Sequence, residues 1–148
     1  MTETETGRLV GRTHHFPVRV YFADTDAAGI VYHATYFAFA ERARTEMMRL
    51  AGFDHVDLRE RLGLLLAVRS CEADYVRPAR LDDLLEVRTT VDELGGASMR
   101  LRQDVWRGAE EIARMGIRLV CIGPDGKPAR LPDDLYDRVR TYLTEEAI

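Results

Sequence analysis

The chain has 148 residues, enough for one domain with its own core. Apolar residues make up 46% and charged residues 31%, an ordinary soluble globular mix, and a net charge of −4 gives no basic field to draw nucleic acid. Cys71 and Cys121 belong to no CxxC pair and are too few for a disulfide framework, so both read as buried free thiols in a reducing compartment.

Residues 1–13 are polar and read as a flexible leader, with a single domain over 14–148. The leader lacks the apolar stretch of a signal peptide. No run approaches the roughly 18 apolar residues of a membrane span, so the expected location is cytoplasmic. In 14–22, Phe16, Val18, Val20 and Phe22 alternate as one side of a strand, and Pro17 suits a strand start or an edge. Residues 23–31 break both periodicities and read as a compact loop with two acids and a glycine. Tyr36, Ala40, Ala43, Met47 and Leu50 then form the apolar stripe of a long helix, widened by Phe37 and Phe39. Gly52 supplies its stop.

Residues 54–62 read as a short helix, and four strands follow. The first lies over 64–76. Leu85, Val87, Thr89 and Val91 mark the second, Met99, Leu101, Gln103 and Val105 the third. Ala113, Met115, Ile117, Leu119 and Cys121 mark the last. Gly95-Gly96, Arg107-Gly108-Ala109 and Pro124-Asp125-Gly126 are the turns. A terminal helix is expected over 132–146. The fold class is therefore α+β: a long central helix on an antiparallel sheet of about five strands, with Arg88, Arg100 and Arg102 on the solvent face.

The chemistry concentrates in 24–33, between a strand and the start of the longest helix. Asp24 and Asp26 lie on a loop that the scaffold can aim. Gly29 permits a tight backbone approach, and the helix N-terminus offers unpaired N–H groups at the positive end of its dipole. Donors of that kind hold a developing oxyanion, while a carboxylate attacks a carbonyl or takes a proton from water. On pattern alone, simple capping of the helix remains the commoner use of such a loop.

The run over 18–53 resembles the signature of the hotdog-fold 4-hydroxybenzoyl-CoA thioesterase family. It is most similar to the branch of short acyl-CoA thioesterases associated with Tol-Pal genes. Asp24, Asp26, Gly29 and Val31 carry the match, followed by Tyr36 ten residues after the second acid. The helix and the stretch 75–83 resemble that family too. The resemblance implies a single hotdog domain that hydrolyses an acyl-CoA thioester. Asp26 would be nucleophile or general base, and the backbone N–H of His33 would polarise the carbonyl. It also implies homo-oligomers, dimers often paired into tetramers, with sites between subunits. No metal or redox cofactor is implied, since coenzyme A is part of the substrate.

Other roles follow residue by residue. Asp24 reads as the loop's cap. The His33 ring is a candidate to orient water. Gly29, Val31, Tyr32 and Tyr36 are candidates to line the acyl pocket, with core packing the rival role for Tyr36. Glu41 is a helix carboxylate supporting the site or pairing ions. Arg77 and Arg80 flank Pro78 and are candidates for the CoA phosphates, their forked donors suiting phosphate. His14, His15 and His55 show no metal-ligand spacing. Two other functions stay open: a non-catalytic acyl-thioester or acyl-carrier-protein binding protein, and a hotdog dehydratase pairing His33 with Glu41. The acyl group is not legible.

Overall fold

The computed structural model describes residues 5–143. Helix α1 (Thr35–Leu50) buries Tyr36, Phe39, Ala40, Ala43, Met47 and Met48 and turns Glu41, Arg42 and Arg49 to solvent. Leu50, expected on the stripe, is 41% exposed. It lies two heptads beyond Tyr36, and a straight helix drifts roughly 20° per heptad, which carries it off the buried face. Gly52 ends the segment at φ +95. A helical turn α2 (His55–Asp57) runs into a π turn (Leu58–Leu62).

The sheet has six strands in the order β1-β2-β4-β5-β6-β3, every neighbouring pair antiparallel. They are β1 (Arg8–Val10), β2 (Thr13–Arg19), β3 (Leu65–Tyr75), β4 (Leu84–Leu94), β5 (Ser98–Arg107) and β6 (Glu110–Ile122). The strand beyond the expected five is β1, inside the segment read as leader. It pairs Arg8 with His15 and Val10 with Thr13, through a turn that has Gly11 at φ +61. Three residues are too few for alternation to show. Because pairing with β1 reaches no further along β2 than His15, Pro17 in the interior of β2 has an unpaired outer edge, where its missing N–H costs nothing. Phe22, expected on β2, is 80% exposed, since the chain turns into a 3-10 segment at Phe22–Asp24.

The alternating sets on β4, β5 and β6 all face α1 and are buried. The other face carries exposed Arg100 and Arg102 and half-buried Arg88. Its ion pairs, such as Arg102–Asp104 at 2.9 Å, lie at the surface and contribute little each. Helix α3 (Asp133–Tyr142) packs Leu135 and Val139 into a second core cluster with Met47, Met48 and Leu119. Its expected extension to 146 lies outside the described residues. Cys121 is buried, and burial pushes its thiol up. Cys71, expected buried, is exposed, because β3 is an edge strand whose residues 69–72 are open on both faces. Among the described residues no helix is long and apolar enough to cross a membrane.

One buried polar contact ties the layers together. The Gln103 amide donates to the Ala40 carbonyl at 2.9 Å and to the Thr89 hydroxyl at 3.0 Å, so sheet and helix share a fixed register. Phe39 is fully buried beside it in the first core cluster. Phe39→Ala should cost roughly 3–5 kcal/mol of stability through the cavity it leaves. A urea titration with an unchanged slope and a midpoint close to wild type would contradict that placement.

Candidate active site

The loop between β2 and α1 is built from its backbone outward. Val20 exchanges hydrogen bonds with the turn after Pro78: its N–H donates to Asp83 at 2.9 Å and its carbonyl accepts from Asp82 at 3.0 Å. Asp24 then closes the 3-10 turn, its carboxylate accepting the Tyr21 N–H at 2.8 Å and its carbonyl accepting from Tyr32 at 2.9 Å. It is the cap that its position suggests. Thr25 bridges to Val31, and between them the chain reverses. The Asp26 N–H donates to Ile30, Gly29 donates back to Asp26, and Gly29 has φ +79, a conformation glycine adopts without strain.

Asp26 is exposed at the tip of this reversal. One carboxylate oxygen, Oδ1, accepts the Ala28 N–H at 2.8 Å, which fixes the side chain in an Asx turn. Oδ2 has no protein partner among the described residues. The loop is then pinned from below: Val31 donates to Ala79 at 2.8 Å, and Ile30 bridges to Arg80.

Helix α1 opens without a side-chain cap and without an acid in its first turn. Thr35 donates to Tyr32 and Phe37 to Ala34, but the N–H groups of His33 and Ala34 have no acceptor among the described residues. Two open donors at the positive end of a helix dipole form an anion-stabilising corner. The His33 ring packs on Tyr32 at 4.4 Å between centroids and meets Tyr75 edge-on at 6.3 Å. The Tyr75 hydroxyl donates to the His33 carbonyl at 2.8 Å, holding the peptide at the helix start. Tyr36 stands 5.5 Å from the Tyr75 ring. It is buried, as core packing required, and burial pushes its phenol up against a smaller downward pull from the Ala79 backbone.

The structure thus brings Asp26, Gly29, Val31, Tyr32, His33 and Tyr36 into one loop-and-helix corner. Gly29, Tyr32 and His33 are exposed, while Val31 and Tyr36 support it from beneath. Arg80 arrives through its bridge to Ile30, exposed and without a direct ion pair among the described residues. Arg77 is occupied, donating to the Glu111 carbonyl at 2.9 Å with Glu110 at 3.9 Å. Glu41 lies two turns along α1 and lines a separate cavity with Arg44, Thr45 and His55. Tyr75 is the residue that the motif did not name. Its only signal was its place at the head of the stretch 75–83. No group of three potential metal ligands occurs among the described residues.

Comparison with known proteins identifies the family and the fold. Residues 28–113 match the model of the thioesterase superfamily. An acyl-CoA thioesterase YbgC of Haemophilus influenzae is 40% identical over 121 residues, 81% of this chain and 89% of that protein. An acyl-CoA thioester hydrolase YbgC of Escherichia coli O157:H7 is 42% identical over 123 residues, 81% of this chain and 90% of that protein. The crystal structure of a probable thioesterase from Bartonella henselae superposes with a TM-score of 0.78 at 38% identity, covering 81% of this chain and 99% of that one. A 4-hydroxybenzoyl-CoA thioesterase complexed with 4-hydroxybenzoyl-CoA has a TM-score of 0.79 at 23% identity, covering 86% of this chain and 98% of that one, a likeness of fold.

The floor of the corner depends on Asp83. Burial pushes its carboxyl up, but the Arg80 N–H at 2.9 Å and the Arg107 guanidinium at 2.8 Å outweigh it and hold the group below its ordinary value of 3.8. A carboxylate lowered on folding stabilises the fold above its unfolded value and loses that contribution as pH falls through the lowered one. Asp83→Asn should therefore lower the urea midpoint at pH 7 and flatten its decline as pH falls below about 4. Equal acid sensitivity in variant and wild type would refute the assignment.

Proposed function

The chain belongs to the thioesterase superfamily and is an acyl-CoA thioesterase of hotdog fold, and on that premise we propose that Asp26 and the backbone N–H of His33 perform the hydrolysis. The observation that carries the assignment is that both lie open on one pinned segment. An exposed carboxylate with one free oxygen stands on a pinned loop, seven residues before the open N–H of His33 at an uncapped helix start.

In this reading the thioester carbonyl oxygen accepts the His33 N–H, with Ala34 as a second donor. Polarisation there lowers the barrier by stabilising negative charge as it develops on oxygen. Asp26 then takes one of two parts. As general base it removes a proton from water as the water oxygen bonds to the carbonyl carbon. The carbon–sulfur bond breaks, and the proton passes to the departing thiolate. As nucleophile it attacks the carbonyl carbon and breaks the carbon–sulfur bond, leaving an acyl anhydride and CoA thiolate; water then opens the anhydride, regenerating the carboxylate and supplying the thiolate's proton. Both routes yield a carboxylic acid and free coenzyme A. The His33 ring, held by Tyr32 and Tyr75, orients the water.

Gly29 and Tyr32 contact the acyl thioester. Val31 and Tyr36 shape the corner from below, and Arg80 meets the CoA phosphates in preference to the occupied Arg77. The reaction needs no cofactor beyond the coenzyme A of the substrate, and the enzyme works in the cytoplasm. An acyl carrier protein is an alternative thiol. We assign the exposed edge β3 to pairing with a second copy, which gives a dimer that pairs again into a tetramer. Leu65, Val68 and Tyr75 on this edge are each more than two-fifths exposed, and an open strand of this length invites pairing. A dehydratase pairing of His33 with Glu41 finds no support within the subunit, where Glu41 faces a different cavity.

Asp26→Asn should fold normally and lose roughly 10²–10⁴-fold in thiol release from acyl-CoA, the usual range for a general acid–base group. Wild-type turnover in that variant would remove Asp26 from the mechanism. Light scattering should give at least a dimer, and a fully active monomer would rule out sites shared between subunits.

A further inference from the structure

The sheet edge opposite β3 carries a strap. Residues 6–10 fold back on β2, with β1 paired from Arg8↔His15 to Val10↔Thr13. A buried side chain fastens it. His14 is fully buried, and its Nε2 bonds the Thr6 carbonyl at 2.6 Å. A carbonyl only accepts, so Nε2 carries the hydrogen and Nδ1 is left as a lone pair. Nδ1 is buried too and has no hydrogen-bond partner among the described residues. The backbone closes tightly over the ring: a Cβ at Gly7, where φ is +75, would lie 3.0 Å from Nε2 and collide with the His15 carbonyl.

The surroundings offer no acceptor to a second ring proton. Across from His14 on β4 is Thr89, whose hydroxyl accepts from Gln103. The opposite charge that acts on His14 is Glu46 of α1, itself paired with Arg49 at 3.2 Å. On its own strand, His15 adds a like charge when protonated, and its ring is turned to Glu86 of β4 at 2.7 Å. Phe16 stacks beside the ring at 6.4 Å between centroids. Arg8 adds a surface tie from the strap to Glu86 at 3.4 Å. A buried imidazolium with an unpaired N–H is costly, and an open one is hydrated. The strap is the element that can yield: β1 has three residues, while β2 is held to β4 from His14 to Arg19.

We propose that His14 is an acid-sensitive latch: its neutral ring holds residues 6–10 against the sheet, and its protonation releases them. The latch goes beyond the thioesterase reading and does not depend on it. Burial lowers the closed-state imidazole below its ordinary 6.5, against a smaller upward pull from the Thr6 carbonyl. A group lowered on closing favours the closed strap above its ordinary value and loses that contribution as pH falls toward the lowered one. The open fraction should therefore rise by up to about tenfold per pH unit below about 6.5.

Amide hydrogen exchange of the full-length protein, corrected for the intrinsic pH dependence of exchange, tests this at about pH 7.5 and about pH 5, either side of the ordinary imidazole value. Protection of residues 8–10 should fall at least about tenfold at the lower pH, while β4 and β5 keep theirs. His14→Gln retains a donor for the Thr6 carbonyl and cannot titrate, so its strap should be equally protected at both. Gly7→Ala blocks the closed strap without removing the imidazole and should leave it unprotected at both. Nitrogen chemical shifts of the wild-type His14 ring, which need no variant, should show the Nε2–H tautomer at neutral pH and protonation in step with loss of protection. Equal protection of the wild-type strap at both pH values overturns the inference. So does acid opening that persists in His14→Gln, because the trigger is then His15 or Glu86. A His14 ring that protonates while the strap stays protected overturns it as well.

Discussion

The candidate site depends on one crossing of the chain, where residues 30–31 lie across residues 79–80. The Val31 N–H reaches the Ala79 carbonyl and Ile30 bridges to Arg80. Both contacts are backbone to backbone, so they fix position whatever the exposed side chains do. From this crossing the loop rises to Asp26 on one side and runs into the start of α1 on the other. The turn at 79–83 is braced in turn by Asp83, which gathers the Arg80 N–H and the Arg107 guanidinium, while Arg107 also donates to the Pro78 carbonyl at 3.2 Å. A carboxylate and two open N–H groups that would wander on a free loop are thereby referred to the sheet.

The second constraint is how closely α1 can approach that sheet. Ala40 and Ala43 are fully buried where larger residues would hold the helix away. The gap they close is spanned by Gln103, whose amide bonds a helix carbonyl. Such a contact sets rotation and register as well as distance, because an unsatisfied buried amide is costly. The helix start is thus positioned at two levels, by the crossing at Ala79 and by the packing two turns further on.

These two constraints explain what could be read before the structure. The strands β4, β5 and β6 have one buried face each, and a period of two records that directly. The α1 stripe is legible for the same reason, up to Leu50, where helical drift breaks a heptad reading. β1 was missed because three residues carry no period. The exposure of Cys71 was missed because apolar alternation does not say whether a strand is central or at an edge. Asp26 and His33 were singled out by local spacing and by the family resemblance, and the structure places both on the exposed segment between β2 and α1. Tyr75 was not, since its bond to His33 joins residues 42 apart in the chain.

Tyr75 also links the site to assembly. It ends β3, the open edge, and its hydroxyl holds the carbonyl of His33, whose N–H is the proposed carbonyl-polarising donor. Asp26 is exposed within one chain, yet electrostatic stabilisation of an oxyanion is strongest where water is excluded. Within the subunit, nothing among the described residues covers the loop. The substrate and a second copy laid along β3 are the two bodies available to do so. A copy on that edge would bury Tyr75, stiffen its bond to His33 and lower the dielectric around the donor in one step. In the proposed dimer, edge pairing and the proposed role of Asp26 are thus coupled through a single hydroxyl, that of Tyr75.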